Sequence, residues 1–213
     1  MSFLPEPAIL LSYTLACFVL FVTPGPDMSL FLAKTISGGR WAGIASMAGA
    51  LTGACFHTLA AALGLSAVIA ASAAAFTVIK VLGALYLLYL AVDAVRNGSS
   101  LSIRNEAREQ PDLKKVFMLG LGVNLTNPKV ILFFITFLPQ FVSAADPHAT
   151  GKLMFLGLYF VVFSIPLAIL MILGAERLIG ALKVRPKVVR AIDYTFAGVF
   201  GAFAVSILAT QGK

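Results

Sequence analysis

Charge is scarce in this chain. Only 12% of its 213 residues are Asp, Glu, Lys or Arg, against 60% hydrophobic, whereas a soluble globular domain carries about a quarter charged residues. With a mean hydropathy of +0.96, the shortage leaves little room for a soluble domain and indicates an all-α polytopic membrane protein embedded in a lipid bilayer. Cysteine is nearly missing as well: Cys17 and Cys55 both fall in apolar stretches, which reads as two buried thiols rather than a disulfide. The two histidines, His57 and His148, give no metal-ligand spacing. No nucleophile accompanies an oriented base, and no phosphate loop appears; Gly120 and Gly122 form a lone G-x-G without a strand before it. An enzyme is not expected, nor a cofactor or bound metal. The net charge of +7 is not a nucleic-acid signal, because what matters is where the cations sit relative to the apolar spans.

What is present is a series of long apolar runs. Hydropathy predicts six spans, at about Ala8–Ala33, Trp41–Ala62, Thr77–Val95, Val116–Val142, Leu153–Ala175 and Ala191–Ala209, each near the ~20 residues that cross a bilayer. Pro5, Glu6 and Pro7 stand where a secretory leader would have its basic stretch, and no A-x-A site follows, so the first span is expected to stay in the mature protein. Lys34 and Arg40 flank the first connection. Arg96, Arg104, Arg108, Lys114 and Lys115 fall in or beside the third, and Arg177, Lys183, Arg185, Lys187 and Arg190 in the fifth. The other side has Lys80, Lys152 and Lys213. The positive-inside rule then places the odd connections in the cytoplasm and both termini outside. The polar connection 97–115 divides the chain into halves, 1–96 and 116–213, each with three spans; a repeated three-span unit must re-insert upside down, giving an inverted pair.

The first span of each half is interrupted. In one the break is Thr23-Pro24-Gly25-Pro26-Asp27; in the other it is Asn124-Leu125-Thr126-Asn127-Pro128-Lys129. Pro24 and Pro26 lack N–H groups and Gly25 adds backbone freedom, so carbonyls near Leu20 to Val22 lose their helical donors. Lipid cannot replace them, so such a break must face protein or a hydrated cavity. One proline alone would read as a packing kink; two breaks in matching positions, each with an ionisable side chain, read as a transport site. Asp27 is the first candidate for a proton- or cation-coupling group, although it also stands where it can cap the helix that follows. Lys129 can neutralise Asp27 or bind a substrate carboxylate. Asn124, Thr126 and Asn127 can contact a ligand or patch the opened helix, two readings of equal weight.

Ala45, Gly49, Gly53 and His57 recur every four residues and share one helix face, a small-residue stripe compatible with close packing inside one chain or in a homo-oligomer. His57, at membrane depth, reads either as a structural imidazole or as a proton relay with Asp27. Lys80 reads as a snorkelling side chain.

The stretches FVTPGPDMSLFLAKTISGGRWAG, the stripe running into His57 and GLS, VLGALYLLYLAV with Lys80 before it, and FMLGLGVNLTNPKVILFFITFLPQF together resemble the lysine exporter (LysE) superfamily in its homoserine/threonine exporter (RhtB-type) branch, essentially end to end. The resemblance implies a bacterial inner-membrane exporter of amino acids or close derivatives, driven by the proton gradient. Pro24, Gly25, Pro26 and Asp27 would form the first broken element, and Asn127, Pro128 and Lys129 the second. His57 and Lys80 fall where members often carry these residue types. On that reading a zwitterionic amino acid sits between the breaks, its carboxylate near Lys129 and its ammonium near asparagine or carbonyl oxygens, while Asp27 exchanges a proton. A neutral substrate of homoserine or threonine type is favoured over lysine, because Asp27 is read as the sole deep acid. The rival readings are a passive channel for small solutes and a six-helix membrane redox or scaffold protein; the unpaired cysteines speak against a thiol carrier.

Overall fold

The computed structural model describes residues 5–96, 111–143, 145–175, 177 and 186–211. All regular structure among them is helical: α1 (Pro7–Val22), α2 (Pro26–Ala71), α3 (Ala73–Arg96), α4 (Leu113–Thr126), α5 (Pro128–Leu132), a π turn (Phe133–Phe137) running into a 3-10 turn (Leu138–Phe141), α6 (Ala149–Leu173) and α7 (Pro186–Gln211). The helices Pro26–Leu65, Thr77–Arg96, Ala149–Leu173 and Lys187–Ser206 are each long and apolar enough to cross a membrane. Leu113–Thr126 and Pro128–Phe141, bent by 53°, together pass as a further broken span. The protein is therefore a polytopic all-α membrane protein, with side chains such as Leu11, Leu82, Leu170 and Val205 on its lipid-facing exterior. Most of the connection expected at 97–115 lies outside the described residues, as do Lys183, Arg185 and Lys213.

Helix α2 has 46 residues and would extend roughly 70 Å if straight, more than twice the ~30 Å hydrocarbon core. It does not run straight. Gly39 has φ 80° and ψ 177°, a conformation open essentially to glycine alone, and the chain folds back there into a hairpin. Thr35 Oγ1 occupies the space that a side chain on Gly43 would enter, although residues eight apart in a straight helix are separated by about 12 Å. Met28, Phe31 and Leu32 of the first arm pack with Met47 of the second and with Ala168 and Ile172 of α6. The loop expected between Lys34 and Arg40 is thus a one-residue turn between two helical arms, 26–38 and 40–71.

The second arm lies against α4 at backbone distance. A Cβ on Gly49 would collide with the Phe117 carbonyl, one on Gly120 with the Ser46 carbonyl, and one on Gly53 with the Asn124 side chain at 2.5–3.0 Å. Glycine is needed at these positions because the other helix already fills the space. The stripe read from the sequence is thus used inside the chain, and it fixes Asn124 against α2.

Around α1 and the π turn lies an aromatic core in which Tyr13, Phe133, Phe134, Phe137 and Phe200 are fully buried. Tyr13 donates to the Leu156 carbonyl at 3.0 Å, and the Thr14 and Tyr159 hydroxyls meet at 2.8 Å, tying α1 to α6. Pro139 has no N–H to offer the Ile135 carbonyl, and next to it the helix widens and then tightens into its 3-10 end. Cys17 is buried and Cys55 half-buried, both as free thiols. Outside the bundle, Asp146 accepts hydrogen bonds from the Lys152 ammonium and the His148 N–H. The Lys152 ammonium first, and then that N–H, hold its carboxyl below the usual carboxylate range.

Gly53 and Gly64 should respond oppositely to alanine. Nothing lies within 4 Å of a Cβ on Gly64, so Gly64→Ala should stabilise the helix by about 0.5–1 kcal/mol, whereas Gly53→Ala should destabilise by ~1–3 kcal/mol through overpacking. Thermal unfolding in detergent reads both signs. Asp146→Asn should lower the unfolding temperature at neutral pH. A carboxyl depressed in the folded state contributes above its unfolded value of ~3.9 and loses that contribution as pH falls through its lower folded value, so the difference between variant and parent should shrink below about pH 4.

Candidate functional site

The two breaks meet. At the first, α1 ends where Pro24 withholds the N–H that the Leu20 carbonyl would accept, and α2 begins at Pro26 with Asp27 in its first turn. Asp27 is there a favourable anion at a helix N-terminus. At the second, Asn127 is the hinge: it ends α4, and its Oδ1 accepts the Lys129 N–H at 3.1 Å, capping α5. Its Nδ2 donates to Asp27 Oδ2 at 3.1 Å, and Asn124 Nδ2 donates to the same oxygen at 2.8 Å. The carboxylate of one break is therefore held by two amides of the other.

Lys129 repeats the arrangement in reverse. Its ammonium donates to the Thr23 carbonyl at 2.8 Å and the Leu20 carbonyl at 3.2 Å, the backbone acceptors that the first break leaves open. It is directed to those carbonyls rather than to the Asp27 carboxylate, and among the described residues the two form no ion pair within 4 Å. A Cβ on Gly25 would stand 3.1 Å from Lys129 Nζ, so glycine here leaves room for the lysine. Its backbone is extended, a conformation open to any residue.

Of the other candidates, His57 approaches through its Nε2, 3.3 Å from the Asn124 carbonyl, where the Nε2–H tautomer donates; its ring stacks on Phe134. Asn124 stands between His57 and Asp27. Thr126 turns away: it is exposed, and its hydroxyl donates to the Gly122 and Val123 carbonyls of its own helix. Pro128 is exposed at the start of α5. Lys80 lies elsewhere, half-buried on α3, where its carbonyl accepts from Gln140 Nε2 at 3.3 Å.

Two cavities flank the crossing. A chamber of about 70 Å³ is lined by Asp27, Asn124, Asn127 and Lys129 and by apolar Met28, Phe31, Met47 and Phe160. A larger cavity of about 460 Å³ lies against Pro24, Pro26, Tyr86, Asp93 and Asp193. Thr23, Gly25, Asn127 and Lys129 line both, so the crossed breaks form the wall between them. Asp27 Oδ1 and Asn124 Oδ1 are buried acceptors with no donor among the described residues, the latter packed against Gly53.

Asp193, 1% exposed, corrects the reading that Asp27 is the sole deep acid. The signal was present: an acid inside the last apolar run is costly and asks for an explanation. Asp193 sits on α7, near the start of that span and among the flanking basic residues, where it looked peripheral.

Residues 18–211 match the family model described as LysE type translocator. The chain is 29% identical over 189 residues to the homoserine/homoserine lactone efflux protein of Salmonella typhimurium, covering 89% of this chain and 90% of that one. It is 37% identical over 142 residues to the uncharacterized membrane protein YrhP of Bacillus subtilis, covering 63% and 68%. No solved structure matches. A family match over nearly the whole sequence joins a helical membrane bundle in which two helix breaks meet, and the chain belongs to the LysE type translocator family.

Proposed function

We propose that this chain is a secondary active exporter that carries small amino acids or their derivatives out of the cytoplasm across the bacterial inner membrane, in exchange for protons at Asp27. The observation that carries the reading is Asp27 itself, a carboxylate from one broken helix held by Asn124 and Asn127 of the other, beside a cavity inside an apolar bundle. A bare carboxylate is costly there. Either a proton or the ammonium of a solute relieves that cost, and each displaces the other. A carrier whose moving state requires one of the two exchanges them obligatorily. The name of the Salmonella relative makes homoserine and its lactone the first solutes to test.

The topology that fits this reading has six passes. The first is α1 with the first arm of α2; the second arm and α3 follow, then the bent Leu113–Phe141 segment, α6 and α7. Residues 1–96 and 116–213 are the two inverted halves and 97–115 the cytoplasmic linker, a division supported by the matching places of the breaks. Lys34, Arg40, Arg96, Lys114, Lys115, Lys187 and Arg190 then face the cytoplasm and both termini lie outside.

In proteoliposomes with an imposed pH gradient, the parent protein should accumulate labelled homoserine or its lactone, and Asp27→Asn should reduce gradient-driven transport to the level of protein-free vesicles. Gradient-driven transport that survives Asp27→Asn removes Asp27 as the coupling group. Conductance indifferent to the proton gradient would make the protein a channel.

A further inference from the structure

The two breaks share a defect at the same register. A helical carbonyl accepts from the N–H four residues further on, and in each break that residue is a proline: Pro24 for the Leu20 carbonyl, Pro128 for the Asn124 carbonyl. At the first, the Lys129 ammonium donates to Leu20. At the second, the Asn127 N–H closes a tighter turn onto the Asn124 carbonyl at 3.1 Å, and His57 Nε2 stands 3.3 Å from the same oxygen. A carbonyl only accepts, so this contact is a hydrogen bond when Nε2 carries the proton; a bare Nε2 would set two lone pairs against each other.

His57 touches both sides of the hinge. Asn124 lies in the last turn of α4, before Asn127 and Pro128. Phe134, fully buried in the π turn beyond them, stacks on the imidazole with ring centroids 5.7 Å apart and planes 26° from parallel. One ring thus bears on the helix before the 53° bend and on the segment after it. Gly53, four residues earlier on the same face of α2, leaves the space that the Asn124 side chain fills. A single helix face therefore holds Asn124 by its main chain and by its side chain, and Asn124 Nδ2 meets Asp27 Oδ2 at 2.8 Å.

The same geometry argues against proton traffic through the imidazole. The charged groups of the crossing are Asp27, on the amides of Asn124 and Asn127, and Lys129, on the Leu20 and Thr23 carbonyls. Between Asp27 and His57 stands Asn124, which donates to the carboxylate from its side-chain amide and accepts from the ring at its backbone carbonyl. Saturated carbon separates those two groups, so no chain of exchangeable protons runs through the residue.

We infer that His57 is a positioning residue: its Nε2–H stands in for the N–H that Pro128 lacks, and the ring, braced on Phe134, holds the second break at the bend that sets Asn124 on Asp27. The cap stands on the fold alone; its effect on transport rests on the exporter reading.

Solid-state NMR of the full-length protein in lipid bilayers reads the cap without transport. In a His148→Gln background, 15N-labelled histidine reports His57 alone. Nε2 should carry the proton at neutral pH and be dephased by 13C at asparagine backbone carbonyls; a bare Nε2, or one with no such carbonyl beside it, overturns the inference. In proteoliposomes, His57→Leu, which keeps the bulk and loses the donor, should slow gradient-driven export of labelled homoserine or its lactone about tenfold, the scale of one hydrogen bond. His57→Gln, which restores an N–H donor without a titrating group, should recover most of that rate with the pH profile of the parent. A His57→Gln protein as slow as His57→Leu, or one with a displaced pH profile, makes His57 a proton carrier and overturns the inference, as does a His57→Leu protein as fast as the parent. If His57→Leu does not fold, the His57→Gln profile and the NMR carry the test. A parent protein that shows the Nε2–H on Asn124 but moves no amino acid or derivative keeps the cap and removes the exporter reading.

Discussion

Two helix breaks inside an apolar bundle close each other's open ends. Proline removes backbone donors at the first break, and hydrocarbon offers no substitute; the Lys129 ammonium arrives from the second break to satisfy the Leu20 and Thr23 carbonyls. In return the amides of Asn124 and Asn127 hold the carboxylate of Asp27. Each break is tolerable because the other lies against it. The arrangement explains why glycine occupies both Gly25, beside the lysine, and Gly53, beside Asn124: both leave space for side chains of the second break.

This reciprocity divides the work between the two charges. Lys129 gives two of its N–H groups to backbone carbonyls, and Asp27, a residue of the chamber wall, has one oxygen held by two amides and the other buried with no donor among the described residues. The same residues form the wall between the small chamber and the larger cavity, so any shift of one break against the other works on hydrogen bonds that link both sides at once. The apolar packing around them, aromatic near α1 and the π turn, keeps these few polar bonds in a setting of low dielectric where they are strong and costly to break.

Much of this was legible in the residues. Apolar runs marked the four helices and the bent pair long enough to cross a membrane, and Pro-Gly-Pro-Asp with Asn-Pro-Lys gave the breaks, because proline's missing N–H acts locally. The four-residue recurrence of Gly49, Gly53 and His57 correctly marked a packing face. What stayed illegible was long-range or cooperative. The partners of Lys129 are carbonyls more than a hundred positions earlier in the chain, and carbonyls have no letter in a sequence, so the lysine read as a partner for Asp27 or a substrate. Thr126 shares a segment with Asn124 and Asn127 but falls on the outer side of α4, where it bonds its own helix. No letter pattern marks Gly39; only its backbone angles make it the fold of the hairpin. Asp193 was hidden by its place at the start of the last span among basic neighbours.

The central claim, that Lys129 caps the first break rather than neutralising Asp27, can be measured directly. Rotational-echo solid-state NMR in lipid bilayers, with 15N at lysine Nζ and 13C at threonine carbonyls or aspartate carboxyls, reports which carbon lies beside the ammonium. The account predicts strong dephasing from the Thr23 carbonyl, as a 2.8 Å hydrogen bond requires, absent in Lys129→Gln. Strong coupling to the Asp27 carboxyl with none to Thr23 would contradict it.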